Sequence, residues 1–263
     1  MSDKNCLDLA KRYSMPLKIA HISDIHIRFG ESRRQEYKTV LQRTLDDLKG
    51  QCPDRICVLG DIYHGKTALS SGATKMISEF LIGLSKIAPC DVIHGNHDLN
   101  LQKIDDGDSL SPLFDIVNLA QPGKEKCAYI VSEQNKNEIN FNQNAVYCYI
   151  DSGFYTVRPD LVYGIYSLRD SKIIKLEEKY KKSGVNYIAL YHGPIYGGRG
   201  DNGMEIKNED ALKVGVFNGF NACLYGDFHS YGTFDRDTDI IIDESELDKY
   251  KAQGWEPIEY LQN

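Results

Sequence analysis

Short, continuously apolar runs alternate with amphipathic segments through the first hundred residues, and this alternation limits the possible folds more than any other feature. Residues 17–23 (LKIAHIS), 55–61 (RICVLGD) and 91–94 (DVIH) read as strands buried on both faces. Between the first two, Tyr37, Leu41, Leu45 and Leu48 share one helical face that Gly50 closes. Between the second and third, Met76, Ile77, Phe80, Leu81, Leu84 and Ile87 mark another amphipathic helix ending near Pro89. Buried strand followed by covering helix is the pattern of parallel βαβ units. A short helix is expected from Ser111 and Pro112, after which strand candidates crowd together as CAYIV, NAVYCYI, GFYTV and LVYGIYSL. Their close spacing, with turns at DSG and RPD, predicts an antiparallel sheet. A charged helix over 171–182 then leads to YIALYH (187–192), and a helical stretch near 209–217 leads to ACLYGD (222–227). With no linker or fixed-period repeat, residues 1–263 are expected to form a single domain. Residues 1–16 would be an N-terminal extension and 236–263 a short acidic tail containing Trp255, without a capping domain.

The chain has 263 residues, 41% of them hydrophobic, which is enough for a substantial core. No apolar run is long enough to span a bilayer, and the start, MSDKNCLDLAKRYSMP, is too charged for the core of a signal peptide. A soluble, intracellular protein, cytoplasmic or nuclear and without a membrane partner, is therefore expected. Seven cysteines form no CxxC pair and are odd in number, so they read as reduced, mostly packed thiols. The net charge of −7 disfavours nonspecific attraction to nucleic acid, so any DNA contact must be local.

Five predicted strands end in the same chemistry: Asp24 and His26 in SDIH, Asp61 in GD, Asn96, His97 and Asp98 in GNHD, His192 in YHGP, and Asp227 and His229 in GDFH. In open α/β sheets the carboxyl ends of the strands share one edge, so these residues can converge. A cluster of carboxylates and imidazoles is costly to bury unless cations neutralise it. Asp24, His26, Asp61, Asn96, His192, Asp227 and His229 are too many ligands for one four-coordinate ion. They suit a pair about 3.5–4 Å apart bridged by a carboxylate. Oxygen and nitrogen donors without thiolate favour manganese first, then magnesium or iron.

The ordered series D-x-H, G-D, G-N-H-D, H and G-D-x-H, over residues 17 to about 235, resembles the calcineurin-like metallophosphoesterase superfamily. The stretch HISDIHIRFG and the histidine of GDIYH are most similar to SbcD-type DNA-repair nucleases and phage recombination endonucleases. Protein phosphatases of the superfamily carry G-D-x-x-D-R-G and G-N-H-E where this chain has GDIYHGK and GNHD. The resemblance implies two mixed β-sheets packed as a sandwich and flanked by helices. It implies Asp24, His26 and His229 on one metal, Asn96, His192 and Asp227 on the other, and Asp61 between them. A metal-bound hydroxide would attack the phosphodiester, His97 would act on the leaving group or phosphate, and Asp98 would fix the tautomer of His97. Where SbcD-like enzymes have G-H-x-H, this chain has Asp227, an added carboxylate expected to hold metal more tightly and acidify bound water less. The implied function is a DNA nuclease with an SbcC-like ATPase partner and a possible homodimer. The alternatives are a nucleotide phosphodiesterase, a protein phosphatase or a noncatalytic scaffold. His64, three residues after Asp61, matches a nuclease histidine near substrate phosphate. Arg28, Lys66 and Arg199 lie in loops beside the metal motifs, where they could contact phosphates. His21 and His94 read as packed or hydrogen-bonded histidines, and the apolar helix faces as core.

Overall fold

The computed structural model describes residues 16–28, 33–65, 70–99, 108–119, 126–198, 204–208, 211–228, 233–234 and 241–242. The first half alternates as expected: β1 (Ile19–Ile22), α1 (Arg34–Gln51), β2 (Arg55–Leu59), α2 (Ser71–Ser85), β3 (Cys90–Ile93) and α3 (Ser111–Leu119). Helix α1 runs through Gly50 and ends on Cys52, which takes the left-handed conformation (φ 48°) and donates its N–H to the Leu48 carbonyl. Helix α2 begins at Ser70, whose hydroxyl caps the Ala73 N–H.

β4 (Ala128–Val131) and β5 (Val146–Tyr149) join this first sheet, ordered β1-β2-β3-β5-β4 and parallel at every pairing. The antiparallel expectation therefore fails for this pair, and the sheet is parallel rather than mixed. The connection from 132 to 145 is long enough for a crossover, which a hairpin does not need. The second sheet is mixed, ordered β6-β7-β8-β9. β6 (Gly153–Arg158) and β7 (Leu161–Tyr166) form the antiparallel hairpin of this sheet, and β8 (Asn186–His192) and β9 (Ala222–Gly226) follow in parallel. Two short strands, β10 (Thr233–Phe234) and β11 (Ile241–Ile242), pair antiparallel.

Side-chain alternation assigns each face of the sheets. Ile56, Val58, Val92 and Val146 meet Leu41, Phe80, Leu84, Phe114 and Val117 of the three helices, so the apolar helix faces are spent on core. Cys57, Leu59, Tyr147 and Tyr149 point the other way, against Tyr155, Tyr163, Ile165 and Leu190 of the second sheet. The outer face of that second sheet packs Ile174, Leu176, Tyr187, Phe217 and Phe220. No α-helix covers it among the described residues. The charged helix expected over 171–182 is irregular chain with one 3-10 turn at Glu178–Tyr180, and of the stretch near 209–217 the described residues, 211–217, hold only a 3-10 turn at Val214–Phe217. In the first of these, Ile174 and Leu176 are buried while Ile173 and Lys175 are exposed. That period of two belongs to extended chain. Among the described residues no helix is long and apolar enough to cross a membrane, and Cys52, Cys57, Cys90, Cys127, Cys148 and Cys223 are free thiols.

Between the sheets lies an ion pair that hydrophobic patterning does not announce. Arg55 (1% exposed) and Asp91 (0%) sit at the starts of β2 and β3, with Nε and Nη2 each 2.7 Å from a carboxylate oxygen. Tyr149 Oη donates to Asp91 at 2.8 Å, and Arg55 Nη1 donates to the carbonyls of Phe141 and, in the opposite sheet, Val157. Removing one partner leaves an uncompensated buried charge, which costs about 3–5 kcal/mol. Asp91→Ala is therefore expected to lower the unfolding free energy by that amount in urea titrations, and a loss below about 1 kcal/mol would show that the sheets do not depend on the pair.

Candidate metal centre

The carboxyl ends of β1, β2 and β3 meet those of β8 and β9. The loops after β1 and β2 remain paired beyond the strands: Asp24 N–H donates to Gly60 O (3.2 Å), His26 N–H to Asp61 O (2.9 Å) and Ile27 N–H to Ile62 O (2.9 Å). The loops after β2 and β3 approach so closely that a Cβ on Gly60 would strike the backbone of Gly95, and one on Gly95 would strike Asp61. Both positions therefore need glycine. Among the described residues, six non-glycine residues have positive φ, and four of them are Asp24, His26, Asp61 and Asp227. Left-handed backbone at such residues is strained and persists only where its surroundings over-determine it.

Asp61 occupies the middle. Its Oδ2 lies 3.6 Å from His26 Nε2, while its Oδ1 lies 3.4 Å from His192 Nε2 and accepts the His97 N–H at 2.8 Å. Two groups with metal-ligand spacing thus share this one carboxylate: Asp24, His26 and Asp61, and Asp61, His192 and Asp227. The Asp227 N–H donates to both oxygens of Asp24 (3.1 and 3.2 Å), and Asn96 Nδ2 donates to Asp227 Oδ1 at 3.1 Å, tying the groups together.

The residues fit divalent cations on a specific ground. His192 is 0% exposed, and its Nδ1 donates to the Leu59 carbonyl at 2.6 Å. That bond leaves Nε2 as the lone-pair nitrogen, buried without a hydrogen-bond partner and 3.8 Å from Asp227 Oδ1. Gly226 permits this, because a Cβ there would meet both Leu59 O and the His192 ring. Burial lowers the affinity of His192 for a proton, but Asp61, whose Oδ1 lies 3.4 Å from Nε2 and accepts from it once it is protonated, and the charge of Asp24 outweigh it and raise its pKa to about 9. Burial also presses Asp61 upward, yet His192 and the His97 N–H hold it below its ordinary value. Asp24 is raised by burial. Without a metal, a proton on His192 supplies the positive charge that the carboxylates require.

A third cluster flanks these groups. The rings of His26, His64 and His97 lie 5.0–5.6 Å apart, with His64 stacked on His97 and His26 edge-on to both. His97 Nδ1 lies 2.6 Å from the backbone carbonyl of His64, which fixes Nδ1–H and leaves Nε2 on the side of the centre, 4.0 Å from Asp61 Oδ2. The expected orienter, Asp98, does something else. It is fully buried and accepts the N–H groups of Ile62, Tyr63 and Gly95, bolting the second and third loops together. Its side chain points back under the loop, so the tautomer of His97 is set by a carbonyl that no residue-type pattern reveals. His94 is buried, its Nε2 3.0 Å from Asp108, whose carboxylate also caps the start of α3 through Leu110 N and Ser111 N. Arg28 is exposed, beside the bridge joining Ile27 to Tyr63. His229, Lys66 and Arg199 lie outside the described residues.

Comparison with known proteins agrees with this geometry. The sequence pattern of the calcineurin-like phosphoesterase family matches residues 17–231. An uncharacterized protein of Acanthamoeba polyphaga mimivirus is 32% identical over 223 residues, covering 81% of this chain. The chain spans 15% of that relative's length.

The chelator-treated protein carries a pH signature. Because His192 is raised from 6.5 to about 9 in the folded state, its contribution is fully present below pH 6.5 and lost as pH rises through about 9. Urea unfolding of metal-free protein should therefore show up to about 3 kcal/mol less stability at pH 9.5 than at pH 6. His192→Gln should flatten this dependence, and an unchanged slope in that variant would place its origin elsewhere.

Proposed function

We propose, from the premise that this chain belongs to the calcineurin-like phosphoesterase family, that it is a two-metal phosphodiesterase acting on DNA. Membership makes it a metal-dependent phosphoester hydrolase; the two-ion site, the assignment of ligands and the substrate are our reading. Asp24, His26 and His229 would hold one ion, and Asn96, His192 and Asp227 the other, with the two oxygens of Asp61 facing one group each. When bound, the ions, manganese first, supply Lewis acidity toward the phosphoryl oxygens and lower the pKa of water. Asp227 contributes twice: its carboxylate faces His192, and its N–H holds Asp24 in place. His97, fixed through Nδ1, presents Nε2 as a hydrogen-bond donor or acid toward the leaving oxygen.

The observation that carries the DNA reading is the imidazole trio. His64 stands three residues after Asp61 and stacks on His97, so two imidazoles border the centre on one side. A diester phosphate flanked on both sides by nucleotides needs donors on its oxygens as well as an acid for its leaving group. His64 and His97 offer both, with exposed Arg28 nearby for an adjacent phosphate. The second reading, a nucleotide phosphodiesterase, uses the same centre and differs only in what borders it. An SbcC-like ATPase partner belongs to the nuclease reading.

His97→Gln should slow hydrolysis at least about a hundredfold while two ions per chain remain by metal analysis; equal loss of metal would show that His97 supports the ligands instead. Manganese-dependent digestion of single- and double-stranded DNA beside bis(p-nitrophenyl) phosphate separates the substrate readings, since turnover of the small diester alone would end the nuclease proposal. Asp227→Ala should reduce bound metal from two ions to one, because its backbone N–H remains to hold Asp24. Retention of both ions would remove Asp227 from the ligand set.

A further inference from the structure

We infer that a cleft on the outer face of the second sheet is a docking site for an acidic peptide segment carrying one bulky apolar side chain. The cleft encloses about 390 Å³, within the range of small recognition pockets. Its floor is Phe154 of β6, Val162 of β7, Tyr187 of β8 and Leu176 of the segment crossing them. It exists because 171–182 is irregular chain with one 3-10 turn where a helix would have covered the sheet. Tyr187 Oη pins that chain by accepting the Lys182 N–H at 2.9 Å.

The charge at the rim selects the occupant. Between 172 and 182 five lysines accompany two glutamates, in a chain whose net charge is −7. Both glutamates are engaged, Glu177 with Lys179 and Glu178 with Lys181. Lys175 and Lys182, which line the cleft, are exposed and have no carboxylate partner among the described residues. An apolar floor between two free ammonium groups matches an aromatic or leucine side chain flanked by carboxylates. Tyr180, 63% exposed at the mouth, adds an aromatic wall. A nucleic-acid strand fits less well: it needs a basic track that continues from phosphate to phosphate, whereas Lys175 and Lys182 flank one socket in which Val162, Leu176 and Val185 stand beside the aromatic rings.

The cleft is separate from the metal centre. It lies at the N-terminal ends of β7 and β8, and the five-residue rise from Tyr187 to His192 places it about 16 Å from the catalytic edge. An occupant would leave that edge open, as suits a partner rather than a substrate, and the proposal does not rest on the nuclease reading.

The test is selection of a random dodecapeptide display library on the full chain, counter-selected on Lys175→Glu/Lys182→Glu. Enriched peptides should carry Asp or Glu on both sides of Trp, Phe or Leu. A synthetic copy of the most enriched should bind at least about tenfold more weakly to the double variant and to Thr156→Trp, which fills the cleft from an exposed position. Binding should weaken with salt, while melting temperature and metal-dependent hydrolysis stay at wild-type values in both variants. The proposal is overturned if no such motif is enriched or if the peptide binds the variants equally. It is also overturned if a short oligothymidylate occupies the cleft more tightly, or if the lysines instead govern self-association of the chain.

Discussion

The alignment of the two sheets is the constraint on which the catalytic edge depends, and strand β2 sets it at both ends. At its start, the Arg55 guanidinium joins Asp91 of the neighbouring strand to a carbonyl of the facing sheet. At its end, the Leu59 carbonyl accepts Nδ1–H of His192, again from the facing sheet. An arginine–carboxylate pair has a fixed planar geometry, so Asp91 aims the Arg55 guanidinium, whose Nη1 then reaches the Val157 carbonyl of the facing sheet at 3.4 Å. Sliding the sheets would break the Arg55 bond to Val157 and carry His192 away from the Leu59 carbonyl and Asp61.

Upon this frame, the centre is assembled mainly from backbone. Asp98 takes three amides of two loops, the Asp227 N–H holds Asp24, and carbonyls orient both His97 and His192. Each reacting side chain is thus held by groups that substitution elsewhere leaves in place. The glycines at 60, 95 and 226 are the steric condition for these close approaches.

This division explains what could be read in the sequence. The strand ends were legible because an apolar run that stops at Asp, His or Asn is conspicuous, and the parallel pairing of β1, β2 and β3 follows from strand–helix alternation, which β4 and β5 lack. Asp24, His26, Asp61, His192 and Asp227 accordingly come together as expected. The part played by Asp98 was not legible, since side-chain identity does not say which amides a carboxylate will find. Arg55 and Asp91 looked like strand boundaries rather than a buried pair. Residues 171–182 misled because lysine and glutamate favour helix, whereas the burial of Ile174 and Leu176 follows a period of two.

The left-handed conformations of Asp24, His26, Asp61 and Asp227 reach beyond the chemistry they serve. Each costs on the order of 1–3 kcal/mol, and glycine would relieve it at once. The centre is thus a local reserve of backbone strain, held in place by the amide and carbonyl contacts that surround these four positions.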